Sequence, residues 1–155
     1  MSLESVRAFF AEKAPEIAVI VSDKSSATVA LAAEAFGVAP ERIAKTLSLR
    51  IGARVILVVT KGTARLDNKK AKTAFGGKPR MLDADEVVAL TGHPVGGVCP
   101  FGLATPLQVY CDVSLRAFDE VVPAAGGIHA AVRISPDRMA ALTGATWVDL
   151  CQAPA

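Results

Sequence analysis

The sequence predicts one α/β domain of the α+β kind, in which a mixed, mostly antiparallel sheet or a partly closed barrel is flanked by helices. Residues 1–155 match the usual size of a single domain, and 52% of them are apolar, which is enough to form a core. Two β-type runs, residues 45–51 and 55–60, are separated by Gly52-Ala53-Arg54, a spacing typical of a hairpin. Helical patterns lie between hairpins, which favours a mixed sheet over a strict βαβ array.

Two helices are predicted in the N-terminal third. Residues 3–13 carry apolar side chains at amphipathic spacing, and the β-branched run 17–21 follows. Ser25 or Ser26 can cap a second helix, which Gly37 ends by adopting a left-handed conformation. Its apolar positions are one helical turn apart: Val29, Ala32, Ala33 and Phe36.

The run 55–60 is apolar on both faces and is expected to be a central strand. Helices are then predicted over residues 67–75, ending at Gly76-Gly77, and over 83–90, where Asp83 and Glu86 form a capping box. Ser135-Pro136 starts the last helix. Further strands are predicted at residues 108–113, 120–122, 130–134 and 147–150.

Residues 91–106 contain four glycines and three prolines, a density too high for a helix or a strand. A loop of this length inside a domain usually has a function, and glycines let backbone amides approach a ligand closely. Such amides can stabilise an oxyanion. Lys45, at the start of an apolar strand, can add a cation to the same chemistry.

The charge is distributed unevenly along the chain. The formal net charge is +2, but seven basic residues and one acidic residue between positions 61 and 80 give that segment a charge of +6. A basic segment on an otherwise acidic molecule fits a polyanion such as nucleic acid, and the alternative is a solvated helix face. The basic residues are Lys61, Arg65, Lys69, Lys70, Lys72, Lys78 and Arg80.

Several function classes lack their motifs. The sequence contains neither a P-loop nor a GxGxxG motif, and two histidines without HExxH argue against a metal hydrolase. The three cysteines form no CxxC pair, which fits reduced thiols in the cytoplasm. No aliphatic run approaches the length of a membrane span, and no secretory signal is visible. Cys99 with His93 or His129 as its base remains a hypothesis for a thiol hydrolase.

Two segments resemble a known family. The segment ERIAKTL at residues 41–47 and the segment PVGGVCPFG at residues 94–102 are similar to the lysine-threonine strand and the GxxxP loop of YbaK/EbsC-type aminoacyl-tRNA deacylases. The same domain is the editing insertion of bacterial prolyl-tRNA synthetases. The resemblance extends over nearly the whole chain and implies this editing-domain fold.

The resemblance implies hydrolysis of the ester between a small amino acid and the 3′ end of a tRNA, without a metal or organic cofactor. It implies that Lys45 contacts the terminal nucleotide or the carbonyl group, and that a ribose hydroxyl of the tRNA helps to activate water. It also implies that the loop holds the aminoacyl group through its backbone, so that Cys99 is not a nucleophile. The loop residues concerned are Gly96, Gly97, Val98, Cys99 and Pro100.

Further site residues follow from the same resemblance. Thr46 and Gly102 belong to its two motifs, while Ala131 and Val19 stand where some relatives have aspartate and tyrosine near the ligand. His129 is a candidate replacement polar group in the pocket. The acceptor end of aminoacyl-tRNA, rather than DNA or a membrane, is the expected partner, and prolyl-tRNA synthetase or another synthetase is a candidate protein partner. Independently of the resemblance, the charge of the basic segment predicts the residues expected to bind tRNA: Lys61, Arg65, Lys69, Lys70 and Lys72.

Two alternatives to a trans-editing deacylase remain open at the level of the sequence. One is a non-catalytic module that binds tRNA or a nucleotide and regulates another process. The other is the thiol hydrolase that uses Cys99. The expected substrate of the deacylase is tRNA-Pro or another tRNA that carries a small amino acid such as alanine, cysteine, serine or threonine.

Overall fold

The computed structural model describes residues 2–153. Five α-helices and eight β-strands alternate in an order that confirms the predicted mixed α/β class. The helices are α1 (Ser2–Lys13), α2 (Val29–Phe36), α3 (Asn68–Phe75), α4 (Ala84–Thr91) and α5 (Pro136–Thr143). The strands are β1 (Ile20–Val21), β2 (Ile43–Ile51), β3 (Arg54–Lys61), β4 (Arg80–Met81), β5 (Gln108–Asp112), β6 (Val122–Pro123), β7 (Ala130–Ala131) and β8 (Thr146–Val148).

The main sheet is open and mixed, with strand order β4-β2-β3-β5-β8 and with β6 paired to β2. Its longest ladder is the predicted antiparallel hairpin of β2 and β3, which turns at Gly52 and Ala53. The pairs β3–β5, β5–β8 and β2–β6 are parallel, whereas β2–β4 is antiparallel, so parallel pairing is more frequent than expected. A separate antiparallel ribbon joins β1 to β7. The sheet does not close, so the barrel alternative is not realised.

Strand β3 is central, as its apolar pattern predicts, and residues 56–59 are almost completely buried. Other strands are shorter than predicted: the run 17–21 contributes only Ile20 and Val21, and the run 130–134 contributes only Ala130 and Ala131. The exposed two-residue strand β4 was not predicted, because two residues carry no periodicity.

The helix ends follow the predicted chemistry with two corrections. Gly37 and Gly76 adopt left-handed conformations where helices were expected to stop. The cap of α2 is Thr28 rather than Ser25 or Ser26, since its hydroxyl accepts from the Leu31 amide. Asp83 caps α4, but the Glu86 carboxylate pairs with Arg50 instead of completing a capping box.

The core has three clusters that divide the molecule around the sheet. The largest packs α1 and α5 against β3 and β5 and includes Phe10, Phe101 and Met139. A second lies under α3 on the other side of the hairpin. The third seats α2, through Ala32 and Phe36, on a small apolar group made of Ile43, Val122 and Ala131. This third cluster forms the floor of the site described next.

Candidate functional site

A cavity of about 330 Å³ lies between α2, β2 and the glycine-rich loop. Its wall is mostly apolar, and Lys45 is its one ionisable lining residue among residues 2–153. The floor is the third core cluster, and the mouth carries Met81 and Val95, whose side chains are largely exposed. Of the residues predicted for the site, the cavity wall contains Lys45, Thr46, Gly96, Val98 and Ala131.

The edge of β2 is bare where it borders the cavity. This edge pairs with β6 at Ile43 and Ala44 and with β4 at Leu49 and Arg50, leaving residues 45–48 without a neighbouring strand. The carbonyl oxygen of Ser48 accepts from the Leu82 amide at 3.1 Å, so Ser48 directs its backbone polar groups toward this edge. Backbone direction alternates along a strand of an antiparallel pair, so Thr46, two residues away, directs its N–H and C=O the same way.

Lys45 is a lining residue of the cavity, and its ammonium group donates to the carbonyl oxygen of Ala64, a residue outside the lining, at 2.6 Å. Burial lowers the pKa of Lys45, the Cys151 thiol opposes this shift, and the positive charge of Arg65 adds to it. A desolvated cation interacts more strongly with a carbonyl or phosphate oxygen than a solvated one. The position therefore suits electrostatic stabilisation of an anionic group.

The loop is held against the rest of the molecule through its glycines. The amide of Gly97 donates to Pro94 O at 2.9 Å, and Gly97 O accepts from the amide of Gly126 at 3.1 Å. A Cβ atom on Gly96 would lie 3.0 Å from Ala27 O, and one on Gly97 would lie 2.8 Å from the backbone of Gly127. Only glycine permits these two approaches without displacement of the neighbouring backbone.

Two loop residues at the cavity have unpaired amides. Within residues 2–153, the backbone N–H groups of Gly96 and Val98 have neither a backbone nor a side-chain acceptor, and both residues line the cavity. The amide of Gly97 is already used inside the turn. Two free donors at a cavity wall are the arrangement that stabilises a developing oxyanion.

Cys99 is fully buried in the large core cluster and is not part of the cavity wall. Its Sγ atom lies 3.6 Å from both Nε2 of His93 and the carbonyl oxygen of Phe101. Burial raises the pKa of the Cys99 thiol to about 12. A thiol with this pKa carries almost no thiolate at neutral pH, so the thiol-hydrolase hypothesis loses its nucleophile.

His93 is also unsuited to act as a base. Its Nε2 lies 2.8 Å from Phe101 O, and because a carbonyl oxygen only accepts, Nε2 carries the proton. The remaining nitrogen, Nδ1, is buried without a partner in the described chain. Burial lowers the pKa of His93, and the hydrogen bond to Phe101 opposes this shift.

Several predicted site residues lie elsewhere. Pro100 and Gly102 line a second, shallower recess, and a Cβ atom on Gly102 would lie 2.6 Å from Ser5 O in α1. Gly102 therefore serves close packing on α1 rather than the cavity. The exposed ring of His129 meets the carbonyl oxygen of Lys24 at 3.1 Å, outside the cavity. Val19 packs against the large core cluster, so of the two departures from the family pattern only Ala131 borders the cavity.

Ser26 is one of the cavity residues that were not predicted for the site. Ser26, 6% exposed, lines the cavity, and its Oγ atom is buried without a partner among residues 2–153. Oγ1 of Thr46 is in the same situation. The sequence indicated only that Ser26 could cap α2, and a serine before a helix offers no other signal when Thr28 supplies the cap.

The basic segment divides into free and engaged side chains. Lys69, Lys72 and Arg65 are exposed, and none of them forms an ion pair with an acidic residue in the described part of the chain. The ammonium group of Lys70 instead donates to Asp149 Oδ1 at 3.0 Å and to Cys151 O at 2.9 Å. Lys61 is half-buried at the end of β3. Lys70 thus anchors the C-terminal segment, which makes it the least suited of the five to a tRNA footprint.

Residues 2–153 contain no group of three or more histidine, cysteine or carboxylate side chains placed to hold a metal ion. In the same range, none of the helices combines the length and apolar character that crossing a bilayer requires. The cavity beside β2 is therefore the main candidate site.

Comparison with known proteins identifies the family of this chain. A model of the aminoacyl-tRNA editing domain matches residues 23–142. The chain belongs to this family. The match includes β2 and the glycine-rich loop, the two segments in which the resemblance was found, and so confirms the relationship that they indicated.

Other members resemble the chain over most of its length. Uncharacterized protein YwhH of Bacillus subtilis is 47% identical over 154 residues, 98% of each chain. The proposed Cys-tRNA(Pro)/Cys-tRNA(Cys) deacylase EbsC of Enterococcus faecalis is 27% identical over 121 residues, 76% of this chain and 73% of EbsC. A crystal structure described as a proposed trans-editing enzyme for prolyl tRNA synthetase is 34% identical, covers 98% of each chain and superposes with a TM-score of 0.90. The editing-domain fold is thus confirmed.

Proposed function

We propose that this editing domain is a trans-editing aminoacyl-tRNA deacylase, which hydrolyses the ester of a tRNA charged with a small, incorrect amino acid. The observation that carries the proposal is the cavity lining, in which Lys45 and two loop residues with unpaired backbone amides, Gly96 and Val98, border one apolar recess. This combination suits a substrate whose carbonyl oxygen becomes negative during reaction. In the reaction, water adds to the carbonyl carbon, the ester bond to the terminal ribose breaks, and the ribose oxygen leaves with a proton.

The wall supplies no general base. Its one ionisable residue in the described chain is Lys45, whose ammonium group is protonated and donates to Ala64. A free hydroxyl of the substrate's terminal ribose is the remaining group that can orient the attacking water. The role of the protein is then to position the ester and to stabilise its oxyanion.

The dimensions of the cavity support a small aminoacyl group. Ligand cavities span roughly 300–1,000 Å³, and this one, at about 330 Å³, lies at the lower end. Its floor is apolar and closed by Phe36 and Ile43. Alanine, cysteine, serine and threonine are the amino acids that we expect it to admit.

The similarity to EbsC and to the trans-editing structure supports tRNA-Pro as the first tRNA to examine and prolyl-tRNA synthetase as the first synthetase to test for association. The exposed basic residues Arg65, Lys69 and Lys72 support a tRNA-binding surface. Arg65 follows Ala64, whose carbonyl oxygen accepts from the Lys45 ammonium, so at least this residue of the surface lies near Lys45.

The deciding experiment measures the deacylation of alanyl-, cysteinyl-, seryl- and threonyl-tRNA-Pro by the wild type, by Lys45→Ala and by a control, Lys13→Ala. Lys13 is an exposed lysine at the end of α1, away from the cavity. We expect hydrolysis of at least one ester by the wild type, a loss of about a hundredfold or more with Lys45→Ala, which corresponds to roughly 3 kcal/mol of transition-state stabilisation, and no change with Lys13→Ala.

Two results would contradict the proposal. If all four esters survived at enzyme concentrations comparable to that of tRNA, the chain would be a binding module rather than a deacylase. If Lys45→Ala retained full activity, hydrolysis would occur without the group that the cavity wall contributes.

A further inference from the structure

The two unpartnered hydroxyls of the cavity indicate that their hydrogen-bond partner is a ligand. Oγ of Ser26 and Oγ1 of Thr46 are both buried, and neither finds a donor or acceptor in the described chain. Buried polar groups are nearly always hydrogen-bonded, because leaving one unpaired is unfavourable. Both residues line the same cavity, so a molecule bound there is the expected source of the partners that their hydroxyls lack.

The position of Ser26 indicates which part of a substrate it reaches. Ser26 precedes Ala27, whose carbonyl oxygen lies close to Gly96. A Cβ atom added to Gly96 would be 3.0 Å from this oxygen. Ser26 is thus next in the chain to the residue that contacts the glycine-rich loop. The proposed function places the ester carbonyl at the backbone amides of this loop. In an aminoacyl ester, the α-amino group lies one carbon atom from that carbonyl.

The chemistry of the cavity wall fits an amino group. No carboxylate among residues 2–153 lines the cavity, and the ammonium of Lys45 disfavours a second unshielded cation. A hydroxyl both donates and accepts, so a pair of hydroxyls can satisfy an amine in either protonation state. The bare edge of β2 adds the carbonyl oxygen of Thr46 as a further acceptor.

We propose that the hydroxyls of Ser26 and Thr46 bind the α-amino group of the aminoacyl ester, and that the cavity therefore requires this group to be free. The inference rests on the proposed function. An N-acylated ester presents an amide whose nitrogen accepts no hydrogen bond, together with additional bulk that a small cavity does not admit. The domain would accordingly discriminate against N-blocked esters, including those of growing peptides.

The test compares the aminoacyl-tRNA that the wild type hydrolyses best with its N-acetylated form. The proteins are the wild type, Ser26→Ala, Thr46→Val, the double variant and a control, Ser22→Ala, in which Ser22 Oγ accepts from the exposed amide of Lys24 outside the cavity. We expect the wild type to prefer the free amine at least a hundredfold in kcat/KM. The double variant should lose at least thirtyfold on the free amine and less than threefold on the N-acetylated ester, and Ser22→Ala should match the wild type.

A merely structural role predicts a different outcome. Equal rates of the wild type on both esters, or an equal loss by the variants on both, would overturn the inference. Because each substitution removes an unpaired buried hydroxyl, we also expect the thermal midpoint of Ser26→Ala and Thr46→Val to be no lower than that of the wild type. A marked fall in that midpoint would show that the hydroxyls have partners within the protein.

A binding measurement separates this inference from the proposed function. Adenosine carrying an alanyl group through a 3′-amide is not readily hydrolysed, and calorimetry gives its Kd with a free or an acetylated amine. The free-amine form should bind the wild type at least tenfold more tightly than the acetylated form, and the double variant should bind both equally. This holds even if no ester is cleaved. Equal affinity of the wild type for both forms, or no binding of either, would overturn the inference.

Discussion

The thiol of Cys99 and the imidazole of His93 share one acceptor, the carbonyl oxygen of Phe101, with their own Sγ and Nε2 atoms 3.6 Å apart. In a catalytic pair, the base accepts the proton of the nucleophile, but here both groups direct a proton to the same oxygen. The three residues all belong to the glycine-rich loop, so the arrangement braces the loop internally, and neither His93 nor Cys99 lines the cavity.

Replacing Cys99 with serine should leave deacylation within about threefold of the wild type. The serine hydroxyl can donate to Phe101 O as the thiol does, so the loop keeps its contact. The measurement is kcat/KM on the preferred ester, with thermal unfolding to verify folding. A loss of about a thousandfold in a folded variant would restore the thiol mechanism.

The buried thiols should make the protein less stable at alkaline pH. Burial raises the pKa of Cys99, Cys111 and Cys151 from 9.0 to about 12. Below pH 9 both folded and unfolded chains keep these protons, so the full free energy of unfolding is present. Between pH 9 and 12 only the unfolded chain releases them, and stability falls by up to about 1.4 kcal/mol per pH unit for each thiol.

Denaturant titrations between pH 7 and 11 measure this dependence. Cys99→Ala has one titrating thiol fewer, so its free energy of unfolding should decline less steeply above pH 9, whatever its value at pH 7. Identical slopes for the variant and the wild type would show that Cys99 ionises equally in both states.

Gly97→Ala should destabilise the domain by about 1–3 kcal/mol. The new Cβ atom would lie 2.8 Å from the backbone of Gly127. The hydrogen bond from Gly126 N to Gly97 O keeps the two backbone segments together and so opposes a shift that would relieve the contact. Gly127→Ala is the matched control, because a Cβ atom there meets nothing within 4 Å. Chemical denaturation gives the free energy of unfolding of both variants. Equal values would mean that the loop accommodates the methyl group at Gly97 without loss of stability.

The salt dependence of tRNA binding should locate the basic footprint. Replacing Lys69 and Lys72 together should reduce the slope of log K against log salt by about 1 to 2, since each free lysine releases about one counterion. Lys70→Ala should leave the slope unchanged and lower the thermal midpoint instead, because Lys70 holds Asp149 and Cys151. A change of slope with Lys70→Ala alone would show that Lys70 itself contacts tRNA phosphates, contrary to this prediction.

The sequence predicted the parts of the fold that local chemistry dictates. Gly37 and Gly76 ended helices where expected, because a left-handed stop depends on one residue. The hairpin turn at Gly52 is local in the same way. Strand β4 escaped prediction because Arg80 and Met81 pair with β2 only in the tertiary structure.

The sequence located residues of the cavity where consecutive residues line it together. Lys45 and Thr46 are adjacent and both line the cavity. In the loop, however, Gly96 and Val98 reach the cavity while Cys99 turns into the core, a division that depends on the backbone path through Gly97. Such a path is not encoded in residue type, and for the same reason nothing in the sequence pointed to Ser26.

The bare stretch of β2 also bears on the solubility of the protein. An exposed strand edge is a template for pairing with the edge of another molecule and so for aggregation. In this domain the uncovered part is only residues 45–47, because Ser48 already accepts from the Leu82 amide, and it is flanked by β6 and β4 beside the cavity. An intruding strand would have to enter a space of about 330 Å³, so the edge admits a small ligand while remaining protected from self-association.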